Sequence, residues 1–392
     1  MKKLSVEMGS RGDWFFLRAK RKAPAGEGPQ IRIVDLFSGA GGMTLGVLEA
    51  SRSLGLSPEI VLAMESRDAI RAVYDSNFTS SISDVRSDVR DRFDGNVGGV
   101  LTAREKTTAR QLGQIDVLLG GPPCQGHSSL NNHTRRYDPK NTLYLRMIRA
   151  VEVVEPATVI IENVPNVRHD SNDVVTHATK RLSELGYQTA EIVVAASRLG
   201  VPQLRSRHIL VGVRGVPSEM SLSLSPYECG DERDLAWAIG DLALESPDGL
   251  YTSPSALSPD NLARAQYLLR EDKYDLPNRL RPPCHRDKPT HKYKSMYGRL
   301  AWNLPAQTIT TGFGSPGQGR YLHPALPRTL TPHEAARLQF FPDWFDFSRA
   351  ETRTILAECI GNAVPSKVAF CLSQLVLAAS RATPPMKARL AG

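Results

Sequence analysis

Between residues 31 and 214, short runs of apolar side chains alternate with stretches whose apolar positions recur at helical spacing. The first run, Ile31-Arg32-Ile33-Val34-Asp35-Leu36-Phe37, breaks into Ser38-Gly39-Ala40-Gly41-Gly42 and then a helical pattern through Leu45, Val47 and Leu48. The second, Ile60-Val61-Leu62-Ala63-Met64, ends at Glu65 and is followed by helical spacing at Ala69, Val73 and Tyr74. A shorter run lies near Ser81-Ile82-Ser83. Ile115-Asp116-Val117-Leu118-Leu119 and Thr158-Val159-Ile160-Ile161 come next, separated by a helix predicted over 142–154. Two further strands are expected at 190–196 and 208–213, which makes seven. Runs of this length, closed by glycine, proline or charge, read as buried strands. Strands alternating with helices predict an α/β fold with a doubly wound, mostly parallel sheet.

Past Gly215 the rhythm stops, and loops rich in proline, serine and charge take over. A smaller, irregular second domain is therefore expected over 215–327. Residues 30–214 form the main domain, to which 328–392 return, ending in a helix through about Ala379. Residues 1–29 carry Lys2, Lys3, Arg11, Arg18, Lys20, Arg21 and Lys22 ahead of a Pro- and Gly-containing lead-in, and read as a basic, solvated arm. The polar stretch 91–114 reads as an insertion.

The chain's 392 residues suffice for more than one core, and a formal net charge of +8 points to a polyanionic partner, nucleic acid before membrane. Residues 278–299 concentrate Arg279, Arg281, Arg286, Lys288, Lys292 and Lys294 around Tyr293 and Tyr297, a mixture suited to phosphate contact and groove reading. The five cysteines, Cys124, Cys229, Cys284, Cys359 and Cys371, are scattered, odd in number and without a CxxC pair. They argue against a disulfide framework and a zinc site, and fit a reducing compartment. No run resembles the roughly 18 uninterrupted apolar residues of a membrane span, and the charged amino terminus lacks a signal-peptide core, so a cytoplasmic, nucleoid-associated protein is expected.

Five strand ends carry candidate chemistry. Gly121-Pro122-Pro123-Cys124-Gln125 follows the fourth strand, and a cysteine delivered by such a turn to the carboxyl edge of a sheet, where ligands bind, reads as a nucleophile. The glycine turn after the first strand suits a nucleotide-like ligand, because its backbone can approach closely and the following helix offers unpaired N–H groups. Glu65, closing the second strand, can accept from ribose hydroxyls. Asp84 and Asp88 follow the third, and either could face an adenine amino group. Glu162 places another carboxylate at the sheet edge, and residues 127–141 have the polar texture of a loop.

Taken together, these motifs resemble the DNA cytosine-5 methyltransferases, over residues 31 to 380 or so. Asp35-Leu36-Phe37-Ser38-Gly39-Ala40-Gly41-Gly42 is similar to the family's cofactor loop and Gly121-Pro122-Pro123-Cys124-Gln125 to its nucleophile turn. Glu162-Asn163-Val164 resembles the catalytic glutamate motif, and Gln203-x-Arg205-x-Arg207 the arginine motif. Residues 328–339 resemble the structural bridge, and Gly361-Asn362-Ala363-Val364-Pro365 the closing cofactor motif. Each motif alone is short; six in one order are specific. Departures are modest: Cys359 stands where the family often has glutamine, and 91–114 has no assigned role.

The resemblance implies a Rossmann-like methyltransferase sheet and transfer of a methyl group from S-adenosylmethionine, leaving S-adenosylhomocysteine, to carbon 5 of a cytosine flipped out of double-stranded DNA. It assigns Cys124 to attack carbon 6, Glu162 to the pyrimidine N3 and exocyclic amine, and Arg207, with Arg205 nearby, to O2. Cofactor contacts fall on Phe37, Ser38, Gly39, Gly41, Gly42, Glu65, Asp84, Pro122, Asn362, Ala363 and Val364. DNA contacts fall on Gln125 and Ser128 of a lid, on Arg279 and Arg281, and on Thr308, Thr310 and Gly312 of a threonine-and-glycine loop in a target-recognition domain. A monomer is expected, and a restriction endonuclease acting on the same site is a candidate partner. Two alternatives share these features: the tRNA-methylating branch, whose Cys-Phe-Thr signature is not found here, and a non-catalytic DNA-binding regulator.

Overall fold

The computed structural model of the protein describes residues 12–24, 26–82, 88–123, 142–169, 173–215, 223–286 and 295–382. In chain order they form α1 (Asp13–Leu17), β1 (Gln30–Leu36), α2 (Gly42–Ser53), β2 (Ser57–Met64), α3 (Asp68–Asn77), α4 (Ala103–Leu112), β3 (Val117–Gly120), α5 (Thr142–Val154) and β4 (Thr158–Asn163). These are followed by α6 (Val174–Glu184), β5 (Tyr187–Ala195), β6 (Gln203–Leu204), β7 (Ser206–Arg214), α7 (Leu235–Ile239), α8 (Gly249–Thr252) and α9 (Pro259–Arg270). Then come α10 (Pro283–Arg286), β8 (Ala306–Gln307), α11 (Pro332–Leu338), α12 (Arg353–Gly361) and α13 (Ser366–Ala382). The chain divides into two compact units: a sheet unit of Ala23–Ala195, Ser206–Glu228 and Ser366–Gly392, and an irregular unit of Met1–Lys22, Ala196–Arg205 and Cys229–Pro365. The contacts therefore divide the chain at other places than the change of texture at 215 and 328.

In the sheet unit six strands run in the order β2-β1-β3-β4-β7-β5. All pairs are parallel except those of β7, which lies antiparallel between β4 and β5. β3 and β4 are buried along their whole length, as expected of strands covered on both faces. Leu36, Leu62, Leu118 and Ile161 share one core cluster with Met147 and Val151 of α5. The expected third strand is reduced to an edge: Ser80 bridges Ile60, and the N–H groups of Ser81 and Ile82 donate to the carbonyls of Ile60 and Val61 at 2.8 and 2.9 Å. Serines at 80 and 81 give that edge little to bury, and Ser83 lies outside the described residues, among which the sheet has six strands rather than seven.

Two further contacts close the sheet unit. α2 packs on α13, and a Cβ placed at Gly46 would lie 2.3 Å from the Ser366 carbonyl oxygen and 2.6 Å from the Ala369 Cβ, so glycine is what permits the helices to approach. The 91–114 insertion contains α4, started by a reciprocal capping box between Thr102 and Glu105. It is clamped by Arg149, whose side chain is 1% exposed. The guanidinium donates to Glu105 at 2.8 and 2.6 Å, to Glu152 at 2.6 Å, and to the carbonyls of Gly99 and Val100 at 2.9 and 3.1 Å. With five donors placed, the buried cation is satisfied.

The irregular unit has its own small core around Leu268, Leu276, Tyr297 and Leu322. α11 begins at a second capping box, Thr331 with Glu334, and Arg328 pairs both oxygens of Glu334 at 2.8 and 2.7 Å. His323 is buried, its Nδ1 accepting the N–H groups of Ala325 and Leu326 at 3.1 Å each. Burial pushes this imidazole down to about 4, against the Glu334 charge that raises it.

Residues 12–22 depart from the solvated arm expected of 1–29. Phe16 and Leu17 are buried, Asp13 pairs Arg233 at 2.6 Å, Arg18 pairs Asp241 at 2.7 Å, and Lys20 pairs Asp343 at 2.8 Å. Although burial raises the Asp343 carboxyl, hydrogen bonds from His333, Arg337 and Lys20 hold it well below the usual carboxylate range. The Trp14-Phe15-Phe16-Leu17 run is the cause: apolar side chains flanked by basic ones make an anchored strap. Residues 353–378 have the length and hydropathy of a membrane span, but α12 and α13 are broken between Gly361 and Ser366 and the apolar window is 72% buried, as in a core helix.

Candidate active site

The carboxyl ends of β1, β2, β3 and β4 gather the predicted residues of the sheet unit. After β1 the chain turns through Phe37 at φ 59° and Gly39 at φ 55°, then Gly41 at φ 93°, before α2 begins at Gly42. Ser38 N–H donates to the Met64 carbonyl at 3.0 Å, so the turn is tied to the end of β2. The next tie is the Gly39 N–H, which donates to Glu65 Oε2 at 3.1 Å, while the Arg67 N–H donates to Oε1 at 2.9 Å. Burial raises the Glu65 carboxyl above its ordinary value, and the Arg67 and Gly39 N–H groups lower it in part. A Cβ at Gly39 would meet nothing within 4 Å, whereas one at Gly41 would lie 2.3 Å from the Phe78 ring and 3.1 Å from the Tyr74 ring. The turn thus has an open side above and an aromatic floor beneath. Open space and a partly desolvated carboxylate fit the hydroxyl groups of a nucleoside, and the positive end of the helix suits an anionic group on the same ligand.

Beneath the floor lies fully buried Asp35. Thr44 Oγ1 donates to its carboxylate in a short hydrogen bond and lies 3.1 Å from the Tyr74 hydroxyl. Burial pushes the Asp35 carboxyl up to about 7; the Thr44 hydrogen bond lowers it and the Glu65 charge raises it. Tyr74 is raised as well, chiefly by burial.

The Pro122-Pro123 turn after β3 is held against β4. At Gly120 a Cβ would sit 2.5 Å from the Leu36 carbonyl oxygen and 2.7 Å from Met147 Sδ, so glycine alone fits where β3 ends. Asn163 Nδ2 donates to the Pro122 carbonyl at 3.3 Å, and the Val164 N–H donates to Asn163 Oδ1 at 2.8 Å. Glu162, 8% exposed, is the penultimate residue of β4, and a Cβ at Gly121 would come within 3.0 Å of its Oε2. Its Oε1 lies 2.6 Å from Nε of Arg207. Antiparallel register explains the meeting: β4 and β7 pair Glu162 with Ile209 and Asn163 with His208, so the start of β7 returns to the end of β4. Cys124, Gln125, Ser128 and Asp84 lie outside the described residues.

The other predicted residues belong to the irregular unit. Arg205, 3% exposed, donates to the carbonyls of Ile309 at 2.7 Å and Gly361 at 3.3 Å, so its guanidinium ties those two backbone segments together. Gln203 donates to the Leu338 carbonyl and to Gln339 Oε1 at 2.6 and 2.7 Å, and accepts from the Ile309 N–H. Gln339 in turn donates to the carbonyls of Ile360 and Ala363 at 2.6 and 3.1 Å. Two buried amides therefore brace both the 308–312 loop and the 361–364 segment, in which Asn362 is exposed and Val364 buried. Thr308 Oγ1 donates to the Leu204 carbonyl at 2.6 Å, and Thr310 Oγ1 lies 2.9 Å from the Tyr321 hydroxyl and accepts from the Gly312 N–H at 3.2 Å. These hydroxyls shape their own loop. Arg279 is exposed, and half-buried Arg281 donates to the Leu276 carbonyl at 3.1 Å.

Gln339 and Asn163 lie in motifs named by resemblance but were given no role of their own, and the Thr44–Tyr74 pair was not singled out from sequence. Only Asn163 carried a local signal, as the residue after Glu162; the others act across elements far apart in the chain.

Comparison with known proteins agrees with this geometry. A family profile described as C-5 cytosine-specific DNA methylase matches residues 31–376. The chain is 43% identical over 343 residues to the Type II methyltransferase M1.BsuMI of Bacillus subtilis (strain 168), covering 88% of this chain and 79% of that one. It is 29% identical over 344 residues to the Type II methylase M.HgiDII of Herpetosiphon aurantiacus, covering 85% and 91%. The crystal structure of S. pombe Dnmt2 methyltransferase is similar in fold, with a TM-score of 0.61 at 19% identity over 89% of this chain and 99% of that one. The chain therefore belongs to the C-5 cytosine-specific DNA methylase family, as a DNA (cytosine-5-)-methyltransferase.

Proposed function

We propose that the protein methylates carbon 5 of a cytosine flipped out of a specific double-stranded DNA sequence, through a covalent adduct of Cys124, in a restriction–modification or related DNA-modification role. The observation that carries this is the Glu162–Arg207 pair at the strand end beside the Pro122-Pro123 turn that leads to Cys124. Carbon 5 of cytosine is a weak nucleophile. Addition of the Cys124 thiolate forms an S–C6 bond and moves the C5–C6 π electrons toward carbon 5, with charge taken up at the N3 and O2 edge. Glu162 meets N3 and the exocyclic amine; Arg207 holds the Glu162 carboxylate in place and steadies the charge at O2. Arg205 serves by bracing the 308–312 loop. After methylation the carbon 5 proton leaves to a base and the S–C6 bond breaks, returning Cys124.

S-adenosylmethionine, when bound, supplies an electrophilic methyl on its sulfonium. Phe37, Ser38 and the turn at Gly39, Gly41 and Gly42 would hold it, with Glu65 on the ribose hydroxyls and Pro122 at its border. Asp84 or Asp88 is assigned to the adenine, and Asn362, Ala363 and Val364 to the same group, by resemblance. Chemistry on both faces of a base requires extrusion from the stack, at about a few kcal/mol. We assign Gln125 and Ser128 to the lid, and Thr308, Thr310, Gly312, Arg279 and Arg281 to the DNA-recognition surface.

Incubating the purified chain with methyl-labelled S-adenosylmethionine and duplex DNA, followed by bisulfite sequencing, tests the reading. Label is expected on cytosine at one recurring site, and none with Cys124→Ser. Label entering tRNA alone, or an active Cys124→Ser variant, would overturn it.

A further inference from the structure

Three polar side chains from three elements meet beneath the 39–42 turn: Asp35 of β1, Thr44 of α2 and Tyr74 of α3. They are 1%, 0% and 1% exposed, so none can touch a ligand above the turn. Thr44 links the other two, bonded to Asp35 on one side and 3.1 Å from the Tyr74 hydroxyl on the other. Tyr74 packs on Phe78 with ring centroids 4.8 Å apart, and these two rings form the floor that a Cβ at Gly41 would strike. A change at Asp35 therefore reaches the turn through a hydrogen-bonded chain and a packed ring pair, without direct contact.

We propose that Asp35, acting through Thr44 and Tyr74, is a positioning residue that seats the 39–42 turn for S-adenosylmethionine. This rests on the reading of that turn as the cofactor site. With a proton, Asp35 donates to Thr44 Oγ1, and the Thr44 hydroxyl is turned to the Tyr74 oxygen. Without it both donors reverse, and a full charge is left in the core. The charged group facing Asp35 is Glu65, whose carboxylate holds the Gly39 N–H, and Tyr74 is the other titratable neighbour. Ionised Asp35 repels Glu65 and loosens the tie that shapes the turn. Its carboxyl stands at about 7, so the change falls in the neutral range.

The test is isothermal titration of S-adenosylhomocysteine into the full chain at about pH 6, 7 and 8.5. Proton and cofactor act as coupled ligands, so wild-type affinity should fall by about fivefold or more across that range. Asp35→Asn, whose amide donates to Thr44 as the protonated acid does, should stay at the tight limit throughout. Thr44→Val should raise the KM for S-adenosylmethionine severalfold with kcat at saturation unchanged, and Thr44→Ser, which keeps the hydroxyl, should restore it. Parallel pH curves for wild type and Asp35→Asn would overturn the proposal, because Glu65 titrates in both. Absence of binding at every pH would overturn the cofactor reading itself.

Discussion

Nε of Arg207 lies 2.6 Å from Oε1 of Glu162, the first residues of β7 meeting the last residues of β4. A charge-assisted contact at a strand end fixes the carboxylate's direction, which a catalytic glutamate needs more than raw affinity. Arg207→Ala should lower the single-turnover rate of methyl transfer by about 10²–10³, the usual effect of deleting one donor at a site of developing charge. S-adenosylhomocysteine affinity should not move. A rate within threefold of wild type would show the pair to be structural only.

Gly39 and Gly41 share a turn and a left-handed backbone, yet only Gly41 is crowded below. Gly39→Ala should cost the strain of a left-handed non-glycine residue alone, about 1–3 kcal/mol. Gly41→Ala should cost more, because the Phe78 and Tyr74 rings must move, and should abolish cofactor binding. Urea denaturation and calorimetry of the two variants side by side decide the matter; equal losses would mean the aromatic floor yields freely.

Arg149 is a buried cation answered by Glu105 and Glu152. Arg149→Ala leaves two buried carboxylates facing each other, and removing one partner of such a cluster costs about 3–5 kcal/mol. Chemical denaturation should register that loss, and hydrogen exchange should locate it in 91–114 and α5. A variant as stable as wild type would make the clamp dispensable.

His323 gives an acid-side dependence of defined sign. Its folded value, about 4, lies below the unfolded value of 6.5, so the unfolded chain takes up the proton first. Its contribution is whole above pH 6.5 and is lost as pH falls toward 4, by at most about 3 kcal/mol. Asp35, with a raised carboxyl, acts with the opposite sign, its stability falling as pH rises toward 7. Comparing wild type with His323→Asn, which keeps an acceptor for the two N–H groups, isolates the histidine. Identical urea midpoints at pH 4.5 relative to pH 7.5 would refute it.

Much of the fold was legible in the sequence because parallel strands buried on both faces are written as unbroken apolar runs, and β1, β2 and β4 begin or end within three residues of their expected positions. α4 was missed although its capping box, Thr102 to Glu105, is a local signal; its exposed Arg104, Lys106 and Arg110 masked the narrow buried stripe. Glu162 could be named from the end of its strand and Arg207 from the motif it resembles, but their contact follows from antiparallel register, which no single strand records. Arg205, two residues from Arg207, would share its face in an unbroken strand, but it stands in the break between β6 and β7 and belongs to a different hydrogen-bond set. The strap at 13–22 was read from its charge, whereas Phe16 and Leu17 decide its burial.

The crossing of α2 and α13 at Gly46 has a consequence in time. The two helices are separated by about 300 residues, and at about 5–20 residues per second a ribosome needs roughly 15–60 s between them. Through that interval the face of α2 meant for Ala369 and Phe370 has no partner. The sheet unit is therefore begun early in translation and completed late, and a pause near the end of synthesis prolongs its exposure to chaperones, proteases and aggregation.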